Sequence, residues 1–162
     1  MPRSAWGHAL FADDLRSEVG GKISIMGIYQ IDMLFPTEFP ITLAKLAIVI
    51  RYFEERDAFT EDLALTVRVP GAEEPLLTST IHRKDISVPS YPYKDTVPEA
   101  ERDLQLSFEI PILLSPVVIQ KEGFMTVQMQ VGETTTRLGR LMIRKARAEE
   151  LVNFSGLFST GH

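Results

Sequence analysis

The sequence predicts an all-β protein: an antiparallel β-sandwich, immunoglobulin-like or C2-like, of about seven or eight strands with a short C-terminal helix. Three observations carry that expectation. Apolar residues recur at every second position in several separate segments, which is the period of a half-buried strand and not of a helix. Turn signals such as Gly20-Gly21, Pro70-Gly71 and Gly132-Glu133 separate those segments. Strong helix formers gather over Ala146 to Val152, where Asn153 and Gly156 end them after about two turns.

Taken in order, a first strand is expected over Trp6 to Ala12, then an acid-rich bend closed by Gly20-Gly21, then a strand over Ile23 to Gln30. In the bend, Asp13 suits the cap of a helical turn over Asp14 to Glu18, its side-chain oxygen accepting from an exposed first-turn amide. From Leu43 to Phe53 the even positions Ala44, Leu46, Ile48, Ile50 and Tyr52 form an apolar row, while Lys45 and Arg51 interrupt the other, so one face is expected to be wet. Leu63, Leu65, Val67 and Val69 make the next row, ended by Pro70-Gly71. A weaker strand covers Leu76 to Ile81. Asp85 to Arg102 carries Pro89, Pro92 and Pro98 and reads as a long surface loop, since proline lacks the amide that helices and ladders need. Leu104, Leu106, Phe108, Ile110 and Ile112 then alternate with polar residues, and Pro111 belongs on an edge strand or at a strand end. Met125, Val127, Met129 and Val131 face inward, and Gly132-Glu133 offers glycine at the first central position of a type II′ hairpin that returns over Thr134 to Arg144.

The chain of 162 residues suits one domain, with 44% apolar and 24% charged residues. The expected division is a sandwich over residues 1–145 and a short helix with its tail over 146–162. A net charge of −5 opposes nonspecific attraction to nucleic acid or to an anionic membrane. The absence of cysteine excludes disulfides, thiolate metal sites and a thiol nucleophile. The N-terminus is a poor signal peptide, and no apolar run approaches the roughly 18 residues of a membrane helix, so a cytoplasmic protein is expected.

Candidate sites are weak in chemical content. Asp13, Asp14, Glu18 and Asp32 could supply oxygens to a calcium ion from the end loops, yet their spacing matches no calcium-loop signature, and a capped or solvated loop explains them without metal. His8 lies in an expected strand and His82 in a polar run; hydrogen-bonded structural roles suit both. No Gly-x-Ser-x-Gly turn and no zinc-type histidine pair is present, and Gly20-Gly21-Lys22 ends in Ile23, which makes it a turn and not a phosphate loop. Arg137, Arg140, Arg144, Lys145 and Arg147 form a basic cluster best read as a solvated face, since interleaved aromatics and net positive charge are lacking. Tyr91 and Tyr93 in the proline-rich loop, with Phe154, Leu157 and Phe158 in the tail, are the expected contact residues, because aromatics supply large contact area at small entropic cost.

The stretch FADDLRSEVGGKISIMGIY, the following Phe35-Pro36 and Phe39-Pro40, and the strand LAKLAIVIRY resemble a bacterial and phage-associated family of small proteins of unknown function, DUF6941. The resemblance covers the first third of the chain and implies no activity and no catalytic residues. The expected function is therefore non-enzymatic: protein contacts, self-association or an accessory place in an assembly, with no cofactor, no metal, no nucleic acid and no membrane. A module binding calcium or a carbohydrate through its end loops is the alternative, and a hydrolase using an acid pair such as Asp13 with Asp32 is the third reading.

Overall fold

Residues 5–55, 60–86 and 105–151 are described by the computed structural model, and eleven strands lie among them. They are β1 (Trp6–Ser17), β2 (Ile23–Ile28), β3 (Asp32–Phe35), β4 (Ile41–Leu43), β5 (Leu46–Glu55), β6 (Leu63–Arg68), β7 (Leu77–Ile81), β8 (Gln105–Leu114), β9 (Val117–Ile119), β10 (Gly123–Val131) and β11 (Thr134–Lys145). A four-stranded sheet runs β2-β1-β5-β8, a five-stranded sheet runs β3-β11-β10-β6-β7, and β4 pairs with β9. None of the sheets is closed. Among the described residues no helix is long and apolar enough to cross a membrane.

The expected strands are all present, and the eleven observed exceed the seven or eight expected by the short β3, β4 and β9. Strands of three or four residues hold too few positions for an alternation to register. The sheets are also not wholly antiparallel: β3 runs parallel to β11, from Met142 opposite Asp32 to Lys145 opposite Phe35. Pro111 sits opposite Val49 on β8, the terminal strand of its sheet, as a residue without an amide requires. The expected two-turn helix over Ala146 to Val152 is a single turn over 148–151 among the described residues. The proposed helical turn after Asp13 does not form. Residues 13–17 continue β1, pairing Asp14 with Met26 and Ser17 with Ile23, so ladder bonds take the amides that a cap would have served.

Both large sheets feed one apolar cluster. Phe11, Ile48, Ile50 and Tyr52 come from the first, and Leu65, Val67, Met125, Val127, Met129 and Ile143 from the second. The inward rows on β6 and β10 are buried throughout, as alternation predicts. Along β5 the expected row is buried from Leu46 to Tyr52, but Ala44 is exposed. The opposite row is also dry at Ala47 and Val49, a correction to the expected wet face. Val49 lines a groove shared with Gly21, Lys22, Ile23 and Ile25, so the far end of the β1–β2 hairpin covers a face that would otherwise meet water.

The sheets approach closely where β1 meets β11. Val127 pairs with Gly139 but Gln128 with Arg137, which leaves Leu138 as the extra residue of a bulge. The bulge turns Leu138 inward, to 5% exposure, against Gly7. A side chain at Gly7 would bring its Cβ within 2.5 Å of the Arg51 carbonyl oxygen and 2.9 Å of Leu138 Cδ2, so the approach requires glycine. At the β10–β11 turn Gly132 has φ +56° while Glu133 keeps a negative φ, the pattern of the type II′ hairpin expected there.

Candidate functional site

A concave feature of the described surface lies on the outer face of the β2-β1-β5-β8 sheet. Its residues are set by register: His8 is opposite Arg51 and Leu10 opposite Val49 on β1 and β5, while Arg51 is opposite Glu109 on β5 and β8. Alternation sends all of these to one face. With Gly21, Lys22, Ile23 and Ile25 of the hairpin they line a groove of about 520 Å³. A second hollow of about 430 Å³ shares Arg51 and Glu109 and continues past Phe53, Ser107 and Phe108, so the two form one trough. Trp6 stacks on Phe53 with ring centroids 4.0 Å apart and remains 47% exposed at that end.

The charges in the trough are incompletely paired. Arg51 Nε donates to Glu109 Oε2 at 2.7 Å, and both side chains are open to water, so the pair itself contributes no more than about 1 kcal/mol. That bond engages one edge of the guanidinium and leaves its terminal nitrogens free of protein partners among the described residues. The side chains of His8 and Lys22 form no hydrogen bond or ion pair among the described residues either. Sequence reasoning placed His8 in a strand and Lys22 in a turn, and took Arg51 as an interruption of an apolar row. The signal available was that single charge in a long apolar strand; that three separate segments converge on it is non-local information.

The acids weighed as a calcium cup, and read instead as a capped or solvated loop, are dispersed to separate partners. Tyr29 donates its hydroxyl to Asp13, and burial, reinforced by that carboxylate, pushes the Tyr29 pKa well above the usual tyrosine range. Asp14 accepts from Lys45 Nζ at 3.2 Å and from the Leu15 amide, which hold its carboxyl below the usual range. Glu18 accepts from Ser24 Oγ at 2.8 Å. Asp32 lies on the other sheet and accepts from Arg144 Nε at 2.8 Å. Among the described residues no three acids or histidines gather as metal ligands would.

In the basic cluster Arg137, Arg140 and Arg147 are exposed, as a solvated face requires, while Arg144 and Lys145 are engaged in internal ion pairs. Arg144 grips Glu150 with both terminal nitrogens, at 2.8 and 2.6 Å, and so fastens the helical turn of 148–151 to β11 and, through Asp32, to β3. The Arg144 guanidinium, followed by the Arg147 amide, holds the Glu150 carboxyl down to about 2. Lys145 pairs with Glu38, and Arg140 lies over the Phe124 ring at 4.8 Å. His82 has the structural role expected of it: Nδ1 is 2.8 Å from Asp62 Oδ2. Asp62 also accepts from the Arg83 amide, and that bond, with His82 second, lowers its pKa. Tyr91, Tyr93, Phe154, Leu157 and Phe158 lie outside the described residues.

No curated protein and no solved structure matches the chain. The model of a family of unknown function, DUF6941, matches residues 7–144, which takes in the trough and nearly every described strand. The resemblance carried by the first third of the sequence therefore extends over most of the chain, which belongs to the family of unknown function DUF6941.

Proposed function

We propose that this protein is a non-enzymatic binding module that works through protein contacts, as an accessory component of a larger assembly. The observation that carries the reading is the trough on the outer face of the four-stranded sheet, bounded along one side by the terminal strand β8. A terminal strand offers backbone groups to an extended partner, and the adjoining hollows receive its side chains. The same reading takes the two large sheets as an open sandwich of the immunoglobulin-like or C2-like kind, in a cytoplasmic protein of bacterial or phage-associated origin. Cation binding has no support in the placement of the acids, each of which has its own protein partner.

The test is a photo-crosslinking amino acid placed at Ser107, beside the trough, and separately at Thr78 on β7 of the other sheet. Irradiation in the native host should give a discrete protein adduct from position 107 and none of the same mass from position 78. Equal adducts from both positions, or none from 107, would refute the assignment.

A further inference from the structure

Resting on the reading of the trough as a protein-contact surface, we infer that its occupant is an extended acidic peptide segment, with a carboxylate on Arg51, Lys22 and His8 and an aliphatic side chain two residues away on Leu10 and Ile25.

The register supplies the spacing. His8 and Arg51 face each other across β1 and β5, and one step of two residues along the same strands Leu10 and Val49 face each other. The groove therefore has a cationic level and an apolar level separated by one same-face step, about 7 Å in extended backbone. A peptide lying along the strands places its own same-face side chains at that separation, so the recognised unit is an acid and an aliphatic residue two positions apart.

Charge supplies the sign. Lys22 and Arg51 bring two positive charges to the groove against the one negative charge of Glu109, in a chain whose net charge is −5. The net charge of the chain opposes an acidic segment, and this groove offers such a segment cationic donors without displacing a protein partner among the described residues. Glu109 holds the guanidinium by Nε and leaves the terminal nitrogens to meet a carboxylate as a two-pronged donor. The floor supplies affinity: Leu10 and Ile25 are half-buried and keep apolar surface open to water, so an aliphatic side chain set on them removes apolar surface from water on both partners, while Val49 beneath is already covered.

The experiment is selection from a random peptide phage library on the full chain, followed by fluorescence polarisation with the selected peptides. The selected set should share Asp or Glu two positions from Val, Ile or Leu. Replacing that acid by its amide should weaken binding about tenfold, in the range of a charge-assisted pair. Lys22→Gln, at an exposed turn where folding is unaffected, should weaken the acidic peptide several-fold and leave the amide peptide unchanged. A selected set without the acid, no enrichment at all, or equal effects of Lys22→Gln on both peptides would overturn the inference. A protein adduct from position 107 together with peptides lacking the acid would leave the contact surface standing and remove its acidic specificity.

Discussion

Replacing Gly7 by alanine tests the close packing of β1 against the β5 backbone and against Leu138 of β11. A Cβ at this position would lie 2.5 Å from the Arg51 carbonyl oxygen and 2.9 Å from Leu138 Cδ2. The first obstacle is backbone in the β1–β5 ladder, so relief means shifting a strand by most of an ångström, whereas a leucine methyl can rotate away. Overpacking of this kind costs about 1–3 kcal/mol. Against it stands the reduced freedom of the unfolded chain, which favours alanine by about 0.4–1 kcal/mol. The clash wins, and a net loss of about 1–2 kcal/mol should lower the melting temperature by about 2–8 °C in a chain of this size. Urea unfolding followed by circular dichroism gives the same quantity independently. The double variant Gly7→Ala, Leu138→Ala should recover none of the loss, because the carbonyl remains in place and a cavity is added. Gly7→Ala as stable as the parent, or a full rescue by Leu138→Ala, would show that the Arg51 carbonyl of β5 is not the obstacle at Gly7.

Two further outcomes follow from the packing and charges. Leu65→Ala, at 1% exposure in the shared cluster, should cost about 2–5 kcal/mol in chemical denaturation, whereas Leu113→Ala, at 46% exposure, should stay within about 1 kcal/mol of the parent. Glu150 is held down to about 2 against an ordinary glutamate value of 4.5, so its ion pair stabilises the docked helical turn at pH above about 4.5 and that contribution is lost as pH falls through about 2. Amide exchange at 148–151 should therefore accelerate between those values in the parent, and Glu150→Gln should be fast throughout and lack that pH dependence.

Alternation alone located the core. Leu65, Val67, Val127 and Met129 are inward because every second residue of a strand points the same way, and that rule needs nothing beyond the local chain. The type II′ turn at Gly132 was equally local, since a two-residue loop with glycine first has few alternatives. The hairpin covering Val49, the parallel pairing of β3 with β11 and the meeting of His8, Lys22 and Arg51 in one groove were decided by tertiary structure. Each depends on which segments lie side by side. Local propensity carries no term for such pairings, because the contacts that reward them form only once distant strands have been brought into register.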